Sequence, residues 1–394
     1  MNDPFAPPAT TIADVLAGWE IDAAKAEVTT LPVSGSSGSP VRLVRPHATG
    51  AAAVLKAFAI GTQRDRAAWV HALMRHLARA GIEAVPDLLV ARHGDTIVTD
   101  ARGIHWELVR FVDGRATDEP SVAEAVAAAS VLARLHVAAA TLPETPVLRG
   151  PSPGIATRIE RARVLQARPW RARLTSAAPA ALASRFARVT EAFARYGGAD
   201  ALEAVARTVP PELPLQAVLR DIWSDHMLYQ SVEQALHGLV PHGRPQATPR
   251  VSGVDGRRIV RRQTGSTVCD SQARPATVAG IVDYHAAGID TQATDLARLL
   301  GSWRRPPAAA SPELWPEALA AYEAVRPLTA TERALVPWLH ATGVVVGLDN
   351  WFRWTLEEGR RFAAPGHVLG RIDRLSSQLP GALELLCSSP RDLV

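Results

Sequence analysis

Four short stretches of the chain carry side chains suited to handling phosphate and metal. In "AVLRDIWSDHMLY", residues 217–229, an apolar run ends at Arg220-Asp221, and His226 follows five residues later. In "VAGIVDYHAAG" a second apolar run ends at Asp283. A lysine, Lys56, stands inside the strand-like "VLKAF", and the turn "SGSSGS" covers residues 34–39. An aspartate at the end of a strand can accept the proton of a hydroxyl, and a carboxylate is a natural hard ligand for Mg²⁺. Glycine lets backbone amides approach phosphate oxygens, and a lysine ammonium offers them a point charge. Moving a terminal phosphoryl group asks for little more: cover over the phosphates, a cation, metal ligands and a carboxylate for the attacking hydroxyl.

Each piece also has an ordinary reading. Most Gly/Ser turns are only turns. Asp221 and Asp283 fit turn or cap positions, and His226 taken alone fits a structural histidine. Lys56 shares its alternation with neither Leu55 nor Ala57, which allows a solvent-facing side chain. One compositional fact favours a role for it: only two of the 43 basic residues are lysine, Lys25 and Lys56. A chain that writes nearly every cation as arginine keeps a lysine in an apolar strand for a reason, and a nucleotide phosphate would be a partner for it.

The elements that must position these residues divide the 394-residue chain in two. An N-terminal extension, residues 1–30, holds one short helix around "TIADVLAGWEIDAAK". Strand-like segments flank the Gly/Ser turn, and "AAAVLKAFAI" reads as the next strand. "TQRDRAAWVHALMRHLARAGI" has helical periodicity and a stop at Gly81. Further strands follow, with turns at 93–95 and 101–103. Residues 1–113 are thus expected to form a small antiparallel sheet with one helix on it. Residues 114–394 read as mainly helical, with "LPLQAVLRD" and "TVAGIVDYH" as embedded strands. Asp295, at the start of the helix "ATDLARLL", is expected to act as a cap or brace. Residues 237–275, rich in Gly, Pro, Arg and Ser, read as an insertion, expected to be partly disordered, with a hairpin near Val254–Val260.

Composition narrows the classes. Hydrophobic content of 47% with 21% charged residues is that of a globular protein. Two cysteines make no disulfide framework and no metal motif. With neither a secretory leader nor an apolar run long enough for a bilayer, a cytoplasmic protein without a membrane partner is expected. A formal charge of +4 comes from arginines interleaved with acids, not from a basic block, so nucleic acid is the weakest reading.

The order of the parts resembles the aminoglycoside phosphotransferase and choline kinase group, a branch of the protein-kinase-like fold, over about residues 30–360. "VLARLHVAA" is similar to that group's Leu-His helix, "VLRDIWSDHMLY" to its catalytic loop, and "AGIVDYHAAGIDTQATDLARLL" to its metal-binding segment. The resemblance implies an α+β, two-lobed fold with a small antiparallel-sheet N-lobe and a mainly helical C-lobe. It implies ATP in the cleft, with Mg²⁺ or alternatively Mn²⁺. Asp221 would be the catalytic base and Asp283 a metal ligand, with His226 at the second metal-ligand position. Lys56 would hold the α/β phosphates under Ser34, Gly35, Ser36, Ser37 and Gly38. The connector Glu107, Leu108 and Val109 would meet adenine through its backbone. The reaction implied is phosphorylation of a hydroxyl on a small molecule such as a sugar, an amino alcohol or an aminoglycoside.

Three departures stand out. Leu219-Arg220 replaces the group's His-Gly, His226 replaces its Asn, and the helix after Lys56 offers no glutamate to pair with it, only Val70, His71 and Met74 on its inner face. They motivate the alternative of a catalytically weak or inactive relative that binds a nucleotide or a partner. For the acceptor pocket, "NWFRW" at 350–354 reads first as helix packing, and Asp349, Glu357 and Glu358 are ordinary acidic candidates.

Overall fold

The computed structural model describes residues 11–31, 41–46, 51–143, 145, 147–173, 179–230, 276–304, 314–360, 362 and 365–388. The turn Ser34–Gly38 and the whole 237–275 segment, with its suggested hairpin, lie outside the described residues.

The smaller lobe is a five-stranded antiparallel sheet built from β1 (Glu27–Thr30), β2 (Val41–Arg45), β3 (Ala53–Ala57), β4 (Ile97–Thr99) and β5 (His105–Arg110), in the order β1-β2-β3-β5-β4. Alternation decides its two faces. Val44, Ala53, Leu55, Ala57, Trp106 and Leu108 point outward into a small core closed by α1 (Ile12–Leu16) and Trp19. The N-terminal extension therefore seals this lobe's outer face, and its helix is shorter than expected because the chain tightens to a 3₁₀ turn at Ala17–Trp19. On the inner face lies α2 (Arg64–Arg79), which buries Val70, His71, Leu73, Met74 and Leu77 and ends before Gly81, whose φ of +80° suits glycine.

β5 ends at Arg110, and β6 (Arg115–Ala116) already pairs with the larger lobe. That lobe is built on α3 (Val122–Ala139), started by a Ser121/Glu124 capping box and largely buried. Of the described helices α3 alone is long and apolar enough to cross a membrane, and it lies in the core, with Leu132 and Leu135 fully buried. After β7 (Leu148–Pro151) come α4 (Pro153–Ala167), α5 (Trp170–Arg173), α6 (Ala180–Arg195) and α7 (Gly198–Arg207). Then come the four strands that frame the chemistry: β8 (Glu212–Val218), β9 (Met227–Tyr229), β10 (Val278–Ile281) and β11 (Gly288–Asp290). They form two small antiparallel sheets, β10-β9-β6 and β11-β8-β7. The helices α8 (Gln292–Ser302), α9 (Leu314–Glu323), α10 (Ala330–Phe352) and α11 (Pro365–Ser388) complete the lobe. One apolar core runs from α2 through α3 into these helices.

The fold is α+β and two-lobed, as the resemblance implied. The sequence reading missed α11, although Val368, Ile372, Leu379, Ala382, Leu383 and Leu386 follow a helical stripe. Its internal Pro380 and its glycines obscured that signal.

Candidate active site

The two short sheets deliver two loops to one place. The β8–β9 loop carries Asp221 and His226, and the β10–β11 loop carries Asp283. Asp221, His226 and Asp283 all line one cavity of about 480 Å³, whose other walls come from α4, α8, α10 and α11. Lys56 reaches the same place from β3: its Nζ lies 2.6 Å from Asp283 Oδ1. The face of β3 opposite the outer core is thus the interlobe face and not open solvent, and the Lys56 side chain is only 12% exposed. Burial alone would raise the Asp283 pKa, but the Lys56 ammonium, with His226 nearby, holds its carboxyl below the usual range.

Asp221 Oδ1 accepts from the Trp223 indole N–H at 2.7 Å and from Arg298 Nη1 at 3.1 Å. Both donors use the same oxygen, which leaves Oδ2 for a further donor. His226 donates Nδ1–H to the Asp221 carbonyl oxygen at 2.7 Å. That bond fixes the tautomer and turns the Nε2 lone pair outward, the arrangement of a metal-ready imidazole.

The loop holding Asp221 is clamped from beneath. Asp295, fully buried, accepts the Leu219 and Arg220 amides at 2.7 Å each, and the His136 imidazole Nε2–H at 3.0 Å. The His136 Nδ1 in turn meets the Tyr322 hydroxyl at 2.7 Å. Asp295 is therefore a brace and not a cap, since Thr291 stands at the N-terminal boundary of α8. The clamp sustains a strained backbone. Arg220 has φ +63°, a left-handed conformation that a β-carbon disfavours by about 1–2 kcal/mol. Glycine, which the related families place here, would adopt it freely. Arg220→Gly is accordingly expected to gain about 0.5–1 kcal/mol in denaturant melts, after allowance for glycine's more flexible unfolded state.

Glu107 plays a part that the sequence reading did not assign. Its side chain is buried between His71 of α2, at 2.8 Å, and His285 of the Asp283 loop, also at 2.8 Å. His285 stacks on Phe58 with ring centroids 3.9 Å apart, and Arg66 at the start of α2 donates to the carbonyls of His285 and Ala287. The helix that lacks a glutamate for Lys56 thus offers an imidazole to a strand glutamate, and the network ties α2, β5 and the Asp283 loop together. Burial would raise the Glu107 pKa, yet the His285 charge and the hydrogen bonds from both imidazoles hold it well below the ordinary 4.5. Glu107→Gln is expected to cost about 2–3 kcal/mol, the range for hydrogen bonds to a buried charge. Because the folded-state pKa is depressed, that stabilisation is present above 4.5 and is lost as the pH falls below it. Melts of wild type and variant should therefore converge in acid.

The residues expected to face adenine lie inside a strand. Glu107, Leu108 and Val109 are interior residues of β5, with Glu107 paired to Lys56 and Val109 to Val54, and the Leu108 carbonyl taken by the Leu89 amide. The stretch that joins the lobes is Phe111–Gly114, a few residues later, between β5 and β6.

The aromatic stretch also reads differently. Trp351 and Trp354, in edge contact at 5.2 Å, line the cavity, and Trp354 lies on a π-helical turn, Arg353–Glu357, that ends α10. Trp351 also packs on the core, so helix packing was half of the answer. None of the three acidic candidates faces the cavity. Asp349 is buried among Arg161, Arg173 and the Trp170 indole N–H, Glu357 pairs with Arg173, and Glu358 pairs with Arg353. Arg158, Trp223 and Arg298 were not anticipated; the position of Trp223 two residues after Asp221 was the one local hint.

The model of the phosphotransferase enzyme family, APH, matches residues 29–240, more than half of the chain. The protein belongs to that family, whose members are phosphotransferases of small molecules. No curated protein matches it by sequence. Among solved structures it is similar to a spectinomycin phosphotransferase crystallised with ADP and spectinomycin, at 10% identity and a TM-score of 0.58, over 99% of this chain and 97% of that one. It is similar as well to the amicoumacin kinase hAmiN in complex with AMP-PNP, Ca²⁺ and Ami, at 10% identity and a TM-score of 0.55, over 93% and 92% of the two chains. An aminoglycoside phosphotransferase from Alicyclobacillus acidocaldarius gives 11% identity and a TM-score of 0.54 over 98% of each. At these identities the likeness establishes the protein-kinase-like fold.

Proposed function

We propose that the protein transfers the terminal phosphoryl group of ATP to a hydroxyl of a small molecule, with Asp221 as the base. The observation that carries this reading is the meeting of Asp221, His226 and Asp283 on one cavity, with Lys56 paired to Asp283. Asp221 Oδ2 takes the hydroxyl proton, while Trp223 and Arg298 hold the carboxylate in position. Lys56 is placed to exchange its carboxylate partner for phosphate oxygens. Residues 1–113 serve as the nucleotide-binding lobe and 114–394 as the lobe that presents the acceptor.

The donor set fits a divalent metal shared with phosphates. Among the described residues no group of three or more His, Cys, Asp or Glu side chains forms a self-sufficient cage. Mg²⁺ commonly takes only one or two protein ligands and completes its shell from substrate phosphates and water. Asp283 supplies a hard oxygen and His226 an imidazole whose Nε2 is free to bind. The imidazole favours a softer ion than Mg²⁺, which makes Mn²⁺ the better match for that position. When bound, the metal would neutralise charge on the transferring phosphoryl group.

A second reading, a weakly active or inactive nucleotide-binding relative, draws on the same His226 and on the missing lysine–glutamate pair. Calorimetric titration with AMP-PNP separates the cases. Metal-dependent binding that is lost in Lys56→Ala and Asp283→Asn supports the kinase reading. Binding indifferent to metal supports the second, and no binding at all overturns both.

A further inference from the structure

The cavity beside Asp221 is walled by five arginines, Arg158, Arg220, Arg298, Arg371 and Arg374. Most of their charge is already answered. Arg298 pairs with Asp221, Arg371 with Asp225 at 3.2 Å, and Arg374 with Asp118 at 3.4 Å. The cavity's own carboxylates are equally committed: Asp283 pairs with Lys56, and Asp290, fully buried, accepts from the Gly154 and Thr291 amides and the Ser152 hydroxyl. Arg158 and Arg220 are left over. Among the described residues neither has a carboxylate within 4.0 Å. Arg158 is 9% exposed; its Nη1 reaches only the Gly154 carbonyl of its own helix, at 2.9 Å, and its Nε has no partner. Burial, followed by the repelling charge of Arg298, lowers its pKa to about 10; the nearby Asp290 carboxylate opposes that shift and Arg220 adds to it. Asp290 answers this guanidinium only at a distance and through no direct contact, and a buried guanidinium without a direct ion-pair partner is costly unless a ligand supplies one.

We propose that the acceptor carries an anionic group, a carboxylate or a phosphate, which Arg158 and Arg220 receive in this cavity while the acceptor's hydroxyl faces Asp221. The inference rests on the reading of Asp221 as the base, and it makes the pocket unsuited to polycationic acceptors. Guanidinium forks match both carboxylate and phosphate geometry. Trp223, Trp351 and Trp354 supply an aromatic wall for the rest of the molecule. Gly288 belongs to the same device. A β-carbon there would come within 2.8 Å of Arg220 Cδ and Nη1, so glycine gives that side chain its room.

The test is calorimetry on the full chain with a matched set of small hydroxyl compounds: glycerate, glycerol 3-phosphate, glycerol and 1-amino-2-propanol, each with and without saturating AMP-PNP. At least one anion should bind about thirtyfold tighter than the neutral and cationic compounds, and weaken by about as much in Arg158→Gln and Arg220→Gln. The carboxylate and phosphate arms show which anion is preferred. Gly288→Ala, which displaces Arg220 by crowding a flexible side chain, should weaken the anion in the same direction. Equal or tighter binding of glycerol or aminopropanol to wild type overturns the proposal, and needs no variant. It is also overturned if the arginine variants lose AMP-PNP and keep the anion, for then the arginines serve the nucleotide. Anion binding without AMP-PNP binding leaves the anion site at Arg158 and Arg220 standing and sinks the kinase reading, and with it the ligand's role as acceptor.

Discussion

Replacing Asp221 by Asn is expected to lower the rate of phosphoryl transfer by about 10²–10⁴-fold, the range for loss of a positioned general base. The amide is isosteric and can still accept from the Trp223 N–H or Arg298, but it cannot take a proton. Nucleotide affinity should stay nearly unchanged, because Asp221 approaches the acceptor side of the cavity while Lys56 and Asp283 hold the other. Stability should hardly move either. The carboxylate side chain is 42% exposed, and its pairing with Arg298 is of the partly solvated kind worth about 0–1 kcal/mol. The measurement is single-turnover transfer by wild type and variant at matched nucleotide saturation. A variant that transfers at the wild-type rate would remove Asp221 from the chemistry.

Asp295→Ala should produce the largest change in stability. The wild-type carboxylate is fully buried and accepts three donors, two of them amides of the strained Leu219-Arg220 step. Its removal strands the buried Leu219 amide, the half-buried Arg220 amide and the His136 imidazole, at a cost of about 3–5 kcal/mol, the range for breaking a buried charged network. Denaturant melts read that cost directly. The same change frees the backbone that aims Asp221, so transfer should also fall at temperatures where the variant is still folded. Asp295→Asn is expected to be nearly as damaging. Its oxygen can face one amide, but its NH₂ group must then oppose another donor.

What the sequence disclosed and what it concealed follow one division. Groups that end an apolar strand could be read from the chain, because strand periodicity and a polar stop are local features. Asp221 and Asp283 were read that way and Lys56 from the scarcity of lysine; the convergence of the two aspartates required only that the two β-segments be neighbours. Roles that depend on the far side of the fold were not legible. Glu107 sits in a segment that resembles a connector, and only the pairing of β5 with β3 and β4 shows that its backbone is consumed and its side chain turned between two histidines. Asp295 could be read as a cap or a brace, but what it braces could not; its bond partners lie 76 and 75 residues away, at Leu219 and Arg220, and 159 away, at His136. Apart from Arg220, the arginines of the cavity were invisible among so many others. Which of them lacks a direct ion-pair partner is a property of the fold, not of residue type.

His226 and the absent helix glutamate remain the departures of greatest consequence. They act on different parts of the cleft. On the proposed reading His226 would bear on the identity of the metal, whereas the Glu107 network fixes α2 against the Asp283 loop in place of the missing ion pair. Lys56 is then held by Asp283 itself, and the two charges lie where a metal–phosphate unit would be bound between them.

The most direct measurement is ADP release by the purified chain from ATP, with Mg²⁺ and with Mn²⁺, in wild type beside Asp283→Asn. Wild type should release ADP only when a divalent ion is present, faster with Mn²⁺ than with Mg²⁺, and the variant should release almost none. Nucleotide turnover that ignores both the metal and the Asp283→Asn change, or no turnover by wild type with either ion and any acceptor offered, would contradict the assignment of this cleft to phosphoryl transfer.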